Sequence, residues 1–409
     1  MASVSRLALG LMLGLGLAVP AASPAAAQDA ARGPSLTKQE RSALAALETA
    51  LNARNYAGAS SALSAAQSAA RGSDARYYLA QLQLKLARET GNRALEASAT
   101  EALIASGRVP QAQLGALYAA QASFVPSGAQ ARERTEAALT RALELSPSAE
   151  TALALAQAKI SLRKNAEAVA LVERAIQLRK ASGVPVPESW YRRGIDLSTA
   201  AKLAPQTMKF TREWIAAYPT RENWRDAILL YRENGAPDAA ALLDASRLAR
   251  LSKALSGERD YMEAAQGFSS ASLPGESRSL WDEAVSTKMV DPAKPAFKEA
   301  IAASAKSATA AKGRLAALKT AAGAASTGTA SLEAADQYLS FGDYSAAADL
   351  YRAALTKGAA DPNVANTRLG IALALAGRQP EAEAAFRAVN GPRAELAALW
   401  LVWLGQRAG

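Results

Sequence analysis

The sequence contains no cysteine and no histidine among its 409 residues. Without cysteine it has no disulfide framework, no thiolate nucleophile and no iron–sulfur ligand. Without histidine it has no imidazole base, no Ser-His-Asp triad and none of the usual zinc sites. Any catalysis would depend on carboxylates, lysine, tyrosine or serine. The composition therefore favours a binding protein, and we predict neither a cofactor nor a metal site.

Aromatic residues are also few, at 6% of the chain, although half of all residues are hydrophobic. That apolar share is enough for a large core and argues against a disordered chain. The formal charge is +10, because 47 lysines and arginines outnumber 37 acidic residues. A basic chain suits an acidic or otherwise anionic partner.

Residues 1–27 have the layout of a secretory signal peptide. A basic start up to Arg6 precedes 13 apolar residues from Leu7 to Val19, and Ala25-Ala26-Ala27 supplies the small residues that signal peptidase requires. Crossing a bilayer as a helix takes about 20 apolar residues, so a membrane anchor is the weaker interpretation. We predict a mature chain of residues 28–409, without a transmembrane segment, in the periplasm of a Gram-negative-type bacterium. Export also argues against nucleic acid as the partner.

The mature chain is rich in strong helix formers, with alanine dominant, and shows no alternating strand pattern. Thr37 and Glu40 have the spacing of a capping box, which marks a helix start. Glycines such as Gly91, Gly342 and Gly377 precede short polar turns and mark helix ends. These features predict an all-α protein.

Residue types recur at intervals of 34 or 35 positions. Tyr338, Gly342, Ala347 and Tyr351 recur 35 residues later as Leu373, Gly377, Ala382 and Phe386, and Thr135 and Ala142 recur 34 residues later as Val169 and Ile176. The spacing, together with Leu369-Gly370, Trp224 and the turn glycines, resembles the tetratricopeptide repeat (TPR) family. The resemblance implies a right-handed superhelical solenoid of antiparallel helix pairs.

The resemblance varies along the chain and gives the expected organisation. An exposed segment, 28–36, precedes TPR-like repeats over 37–289, several of them degenerate. An alanine-rich stretch, 290–330, is either a degenerate repeat or a helical spacer that ends in a flexible joint. Two clear repeats follow over 331–390, and 391–409 forms an apolar C-terminal capping helix.

In this family the first helix of each pair lines a concave groove that holds partners. Carried across, the resemblance places four residues on the inner wall: Tyr191, Lys202, Arg225 and Arg232. A basic wall suits an acidic peptide, a protein carboxyl terminus or an anionic envelope glycan. The alternative is that these charges are ordinary solvated side chains.

The last repeats differ because their inner positions are apolar. The same phase places Leu332, Leu339, Ile371 and Leu375 in an apolar slot. The terminal helix includes Trp400, Trp403 and Leu404 and is apolar all round, although terminal repeats usually have a polar outer face. It either covers the slot and is buried, or it is a docking surface, for example for self-association.

We therefore predict a non-catalytic periplasmic scaffold that binds protein or peptide partners and supports an envelope complex. The alternative is a periplasmic component of a polysaccharide synthesis or export system. A remote alternative is a peptidoglycan lytic enzyme, whose acid is a glutamate before a serine, as in Glu188-Ser189 and Glu276-Ser277. Such an acid needs a raised pKa in a cleft, which a repeat array does not offer. Ser35 and Lys38 have a serine–lysine nucleophile spacing, which the helix start explains better.

Overall fold

The computed structural model describes residues 35–128, 130–235 and 237–407, and these are helical throughout apart from their connections. The predicted signal peptide and most of the segment 28–36 lie outside the described residues. Among the described helices none is both long and apolar enough to cross a membrane. The helices fall into two compact units, residues 1–164 and 165–409.

The described part of the N-terminal unit contains three helix pairs and one further helix. The helices are α1 (Lys38–Asn52), α2 (Tyr56–Ala69), α3 (Ser73–Thr90), α4 (Arg93–Ser106), α5 (Gln111–Phe124), α6 (Ala131–Leu145) and α7 (Ala149–Ser161). Each odd-numbered helix up to α5 packs against the one that follows it, and α7 packs on α6. The capping box is confirmed at the start of α1, where Thr37 and Glu40 cap each other's backbone N–H groups.

The C-terminal unit contains fourteen described helices. They are α8 (Asn165–Ala181), α9 (Glu188–Ala200), α10 (Ala204–Ala217), α11 (Arg221–Asn234), α12 (Ala239–Leu251), α13 (Gly257–Ser270), α14 (Pro274–Ser286), α15 (Pro295–Lys312), α16 (Leu315–Ala324), α17 (Gly328–Ser340), α18 (Tyr344–Thr356), α19 (Pro362–Leu375), α20 (Gln379–Arg387) and α21 (Ala394–Gly405), with a 3₁₀ turn at Gly391–Arg393. Most consecutive helices joined by short turns pack together, so the predicted all-α fold of antiparallel helix pairs is confirmed.

The two clearest repeats have the predicted register. Ala347 and Ala382 are fully buried, and so are the aromatic side chains of Tyr351 and Phe386, four residues further on. A Cβ atom built on Gly370 would lie 2.6 Å from the Phe386 ring, so only glycine allows α19 and α20 to pack this closely. Small residues thus set the helix separation, and large ones fill the space beside them.

The same contact occurs in a repeat that the sequence shows only faintly. In the α9–α10 pair a Cβ atom on Gly194 would lie 2.7 Å from the Phe210 ring. Gly194 and Phe210 are 16 residues apart, as are Gly370 and Phe386. A glycine and a phenylalanine at this separation therefore mark a repeat even where the other family residues are missing.

The turns explain why other repeats look degenerate. The predicted turn glycines Gly91, Gly342 and Gly377 have φ values of 68°, 80° and 78°, in the left-handed region. Several other turns place a residue with a side chain in the same conformation, with φ between 52° and 60°: Arg54, Arg163, Lys202, Lys253, Ser272 and Lys288. Gly235 is different, because its φ is −87° and its small size instead makes room for the Tyr231 ring.

We expect Lys202→Gly to raise the free energy of unfolding by about 1 kcal/mol, because a side chain strains the left-handed conformation. The same change in a helix, Lys298→Gly in α15, should lower it by about 1 kcal/mol. Urea unfolding of both variants measures the two signs. A destabilised Lys202→Gly protein would show that the turn carries no such strain.

The alanine-rich stretch forms two helices that serve different neighbours. α15 packs on α14, and α16 packs on α17. Phe297 anchors the start of α15 beside Trp281, whereas Ala322 is the one fully buried residue of α16. The stretch thus joins two groups of repeats, as a helical spacer would.

Within the C-terminal unit the last repeats fold back on the middle ones. The first helices of the late pairs, α17 and α19, pack on the second helices of earlier pairs, α14 and α12, and the terminal helix α21 packs on α10. The Gln406 side chain donates to the carbonyl oxygen of Ile215 at 2.8 Å and accepts from the Trp224 indole at 3.1 Å. This closure within residues 165–409 forms the second of the two candidate sites described below.

One buried carboxylate holds the N-terminal unit together. Glu40 accepts hydrogen bonds from the backbone N–H groups of Thr37, Arg71 and Gly72, at 2.8, 3.0 and 2.8 Å, and so ties α1 to the turn before α3. Hydrogen bonds to the charged form favour ionisation. The bond from Gly72, followed by those from Thr37, lowers the pKa of Glu40 from 4.5 to about 2.

We expect Glu40→Gln to destabilise the N-terminal unit, because the NH₂ group of the glutamine amide would face backbone N–H groups that are themselves donors. A carboxylate with a lowered pKa adds stability above pH 4.5, and this is lost as the pH falls toward 2. Urea unfolding between pH 7 and pH 2.5 should therefore show a steeper acid loss for the wild type than for Glu40→Gln. Glu48→Gln, on the same helix, is the control, and equal acid slopes in all three proteins would contradict the assignment.

Candidate functional site

Two of the four predicted inner-wall residues do not form an open wall. Tyr191 is fully buried, with its ring 6.4 Å from that of Tyr218, so it packs the core between helices. Lys202 is exposed, but it lies in the left-handed turn between α9 and α10 and not on the first helix of the pair. The prediction that these two residues share a binding face with the arginines is wrong, since one is core and the other is a turn residue.

Arg225 and Arg232 do lie on one face, on α11, but their charges are neutralised. Arg225 forms a bidentate ion pair with Asp260, and one of its hydrogen bonds measures 3.2 Å. Arg232 pairs with Glu263. The hydrogen bond to Asp260 raises the pKa of Arg225. The predicted free basic wall is therefore wrong here, because each arginine meets a carboxylate about one repeat further along the chain.

These two ion pairs form the rim of a pocket of about 450 Å³ between α11, α12 and α13, which we call the α11–α13 pocket. The floor of the pocket is formed by aliphatic side chains and by small ones. One of the aliphatic side chains, Leu229 on α11, is 43% exposed. The lining includes Ile228, Leu229, Leu242, Leu243, Ala245, Ala249 and Ala264. A concave apolar floor with a few polar groups at its edge is typical of a binding site.

The apolar inner residues predicted for the last repeats lie at a second cavity. Leu339, Ile371 and Leu375 line a cavity of about 980 Å³ between α12, α14, α15, α17 and α19, which we call the closure cavity. Leu332 is half-buried and does not line it. The predicted slot thus exists for three of its four residues, and its other wall belongs to the middle repeats.

The terminal helix is buried within the C-terminal unit. Trp400 is fully buried, and Trp403 and Leu404 are 4% and 5% exposed. The Trp400 ring stacks on Phe386 at 5.8 Å between centroids and meets the Trp403 ring edge-on at 5.4 Å. These side chains are thus buried and not exposed for docking, but no residue of the terminal helix lines the closure cavity, so the helix does not cover the predicted slot.

A buried charge cluster holds the closure and has no signal in the sequence pattern. Asp244 on α12 is fully buried and accepts hydrogen bonds from Arg247, Arg368 and Arg393, and the Arg368 contact measures 3.2 Å. Burial opposes ionisation of Asp244, but attraction from Arg368, Arg247 and Arg393 outweighs it, and the pKa is lowered. Arg368 and Arg393 lie 124 and 149 residues from Asp244 in the sequence, beyond the reach of any local motif.

The two glutamates considered as lytic acids have structural partners. Glu188 accepts from the Trp214 indole at 2.8 Å and from Asn223 at 3.0 Å, and the bond from Trp214 lowers its pKa. Glu276 forms two bonds with Arg247, at 2.6 and 2.7 Å. A general acid needs an environment that raises its pKa, the opposite of the environment of Glu188. Among the residues that the structure describes, no cluster of acidic side chains could hold a metal ion.

The chain matches no protein-family model. It also matches no curated protein. Three solved structures are similar at 14% sequence identity. One is Naa15/Naa10 bound to HypK-THB, with 91% of this chain and 73% of that chain covered and a TM-score of 0.24. Another is the P58(IPK) TPR domain, with 83% and 98% covered and a TM-score of 0.22. A third is the APC/C hetero-tetramer Cut9–Hcn1, with 91% and 85% covered and a TM-score of 0.21.

TM-scores this low say nothing about a shared function. The fold class rests on the geometry of the chain itself. Its helices form pairs joined by short turns, its turn residues adopt the left-handed conformation, and small residues lie where the helices touch. The described part of the chain is a TPR-like array of helix pairs.

Proposed function

We propose that the chain is an exported, non-catalytic scaffold of the bacterial periplasm, which binds a protein partner in the α11–α13 pocket. The observation that carries the proposal is the aliphatic floor of this pocket, where the Leu229 side chain is 43% exposed. A helix or extended segment that places two or three aliphatic side chains on such a floor would gain burial.

The rim supports a protein partner over a simple anion. Arg225 and Arg232 already hold Asp260 and Glu263, so the rim has no net charge to offer. It does offer guanidinium and carboxylate groups in fixed positions, which can donate to and accept from a partner's backbone. An apolar floor surrounded by a polar rim is the arrangement found in protein–protein interfaces.

We expect Leu229→Glu to abolish capture of the partner, because a carboxylate on the pocket floor would lose its hydration when the partner binds. The mature chain, residues 28–409, is immobilised and exposed to a periplasmic extract. Leu318→Glu is the matched control, since Leu318 is 36% exposed and does not line the pocket. Capture that Leu229→Glu leaves unchanged, or a chain that binds only anionic glycans, would contradict the proposal.

Export is tested separately. Residues 1–36 fused to a reporter enzyme that is active only outside the cytoplasm should give activity, and the same fusion without residues 1–27 should give none. Equal activity from both fusions would refute the periplasmic location but would leave the pocket proposal standing.

A further inference from the structure

The closure cavity is a second concave site, built by two distant parts of the chain. The Glu276 N–H group donates to the Ser340 hydroxyl at 2.9 Å, across 64 residues of sequence. A Cβ atom on Gly275 would lie 2.4 Å from the Ser340 carbonyl oxygen, so only glycine permits this approach. The approach closes one end of a cavity whose volume, about 980 Å³, is at the upper end of the usual range for ligand sites.

One wall of the closure cavity is aliphatic. It is formed by the half-buried Leu251 from α12 and Leu375 from α19, backed by Leu339 and Ile371, which are 3% and 0% exposed. Sugar hydroxyl groups placed against such a wall would lose hydrogen bonds to water and gain none. Leucine, isoleucine or valine side chains would instead gain burial there. This wall favours a peptide over an oligosaccharide.

The other wall carries an excess of positive charge. Three of its arginines are neutralised by ion pairs: Arg247 with Glu276, Arg250 with Glu283 and Arg278 with Asp282. Lys253 and Lys312 also line the cavity, and neither forms an ion pair with any residue that the structure describes. Both side chains are exposed, so a ligand can reach them.

We propose that the closure cavity binds a peptide segment in which an aliphatic residue lies between acidic residues. The aliphatic side chain packs on Leu251 and Leu375, and the carboxylates meet Lys253 and Lys312. The scaffold is then bivalent, because this site is separate from the α11–α13 pocket and takes a different partner segment.

The test measures binding of a fluorescein-labelled octapeptide of alternating glutamate and leucine, amidated at its C-terminus so that no terminal carboxylate contributes. Fluorescence anisotropy with the mature chain should show saturable binding that weakens as salt is raised. Two further octapeptides serve as probes, one with lysine for glutamate and one with serine for leucine. We expect both to bind at least about tenfold more weakly.

Matched variants locate the site. The double variant Lys253→Gln/Lys312→Gln should weaken octapeptide binding about tenfold, the loss expected from removing two modest charge pairs. Lys288→Gln with Lys298→Gln is the control, because Lys288 has the same left-handed turn conformation as Lys253, with φ of 59° in both. Lys298 lies on α15 with Lys312, and neither control residue lines the cavity. We expect less than a twofold change from the control pair.

Any of three results would overturn the proposal: equal losses in the two variant pairs, equal binding of the serine peptide, or tighter binding of an oligogalacturonate than of the octapeptide. Circular dichroism melting of each variant separates loss of binding from loss of folding. Leu229→Glu should leave octapeptide binding unchanged, so failure at this site and failure of the proposed pocket are distinguishable.

Discussion

Deleting residues 393–409 is expected to leave a protein that aggregates and cannot be purified as a monomer. The deletion removes Trp400 and Trp403, which are buried against α20, and exposes the apolar surface of Phe386 beneath them. It also removes Arg393 from the buried Asp244 carboxylate. Size-exclusion chromatography of the truncated chain measures the outcome.

A single substitution gives a quantitative form of this prediction. Trp400→Ala should lower the free energy of unfolding by about 3–5 kcal/mol, the range for removing a buried tryptophan. Trp190→Ala is the control, because Trp190 is half-buried and its ring faces the Arg179 guanidinium, and a smaller loss is expected. A truncated chain that stays folded but loses an oligomer would show instead that α21 is a docking surface.

Asp244→Ala is expected to lower the free energy of unfolding by about 3–5 kcal/mol, because it leaves buried arginines without their shared carboxylate. Arg247 and Arg368 keep Glu276 and Asp336, but Arg393 keeps only Asp238, whose side chain is 61% exposed. Urea unfolding measures the change. Asp349→Ala is the charge-matched control, since this side chain is 74% exposed and should cost at most about 1 kcal/mol.

The Asp244 cluster also predicts a pH dependence. A carboxylate whose pKa is lowered in the folded state stabilises the fold above its unfolded pKa, and the benefit is lost as the pH falls through the folded value. The wild-type C-terminal unit should therefore lose stability below about pH 4. Asp244→Ala should show a shallower acid loss, and an unchanged profile would mean that Asp244 is not the group that titrates.

The repeat period, the turn glycines and the small–large residue pairs could be read from the sequence because each is local. Gly377, Ala382 and Phe386 lie within ten residues and report one turn and one helix contact. The turns at Lys202 and Ser272 also use the left-handed conformation, but they could not be predicted from the sequence, because neither residue type favours that conformation. The degenerate repeats are thus regular in structure and irregular only in composition.

The candidate sites were less predictable because they depend on distant pairings. Arg225 was predicted to belong to a free basic wall. Its charge is neutralised by Asp260, which is 35 residues further along the sequence. Tyr191 has the phase of an inner residue, yet it packs against a neighbouring helix. Asp244 meets Arg368 and Arg393 only because the last repeats fold back on the middle ones, and the repeat pattern does not predict that contact.

Hydrogen–deuterium exchange of residues 28–409, with and without the captured partner, shows which helices the partner contacts. We expect slower exchange on binding in α11 and α13, around Leu229 and Gly267, with little change in the N-terminal unit. Protection confined to residues 38–161, with α11 and α13 unaffected, would contradict the proposal.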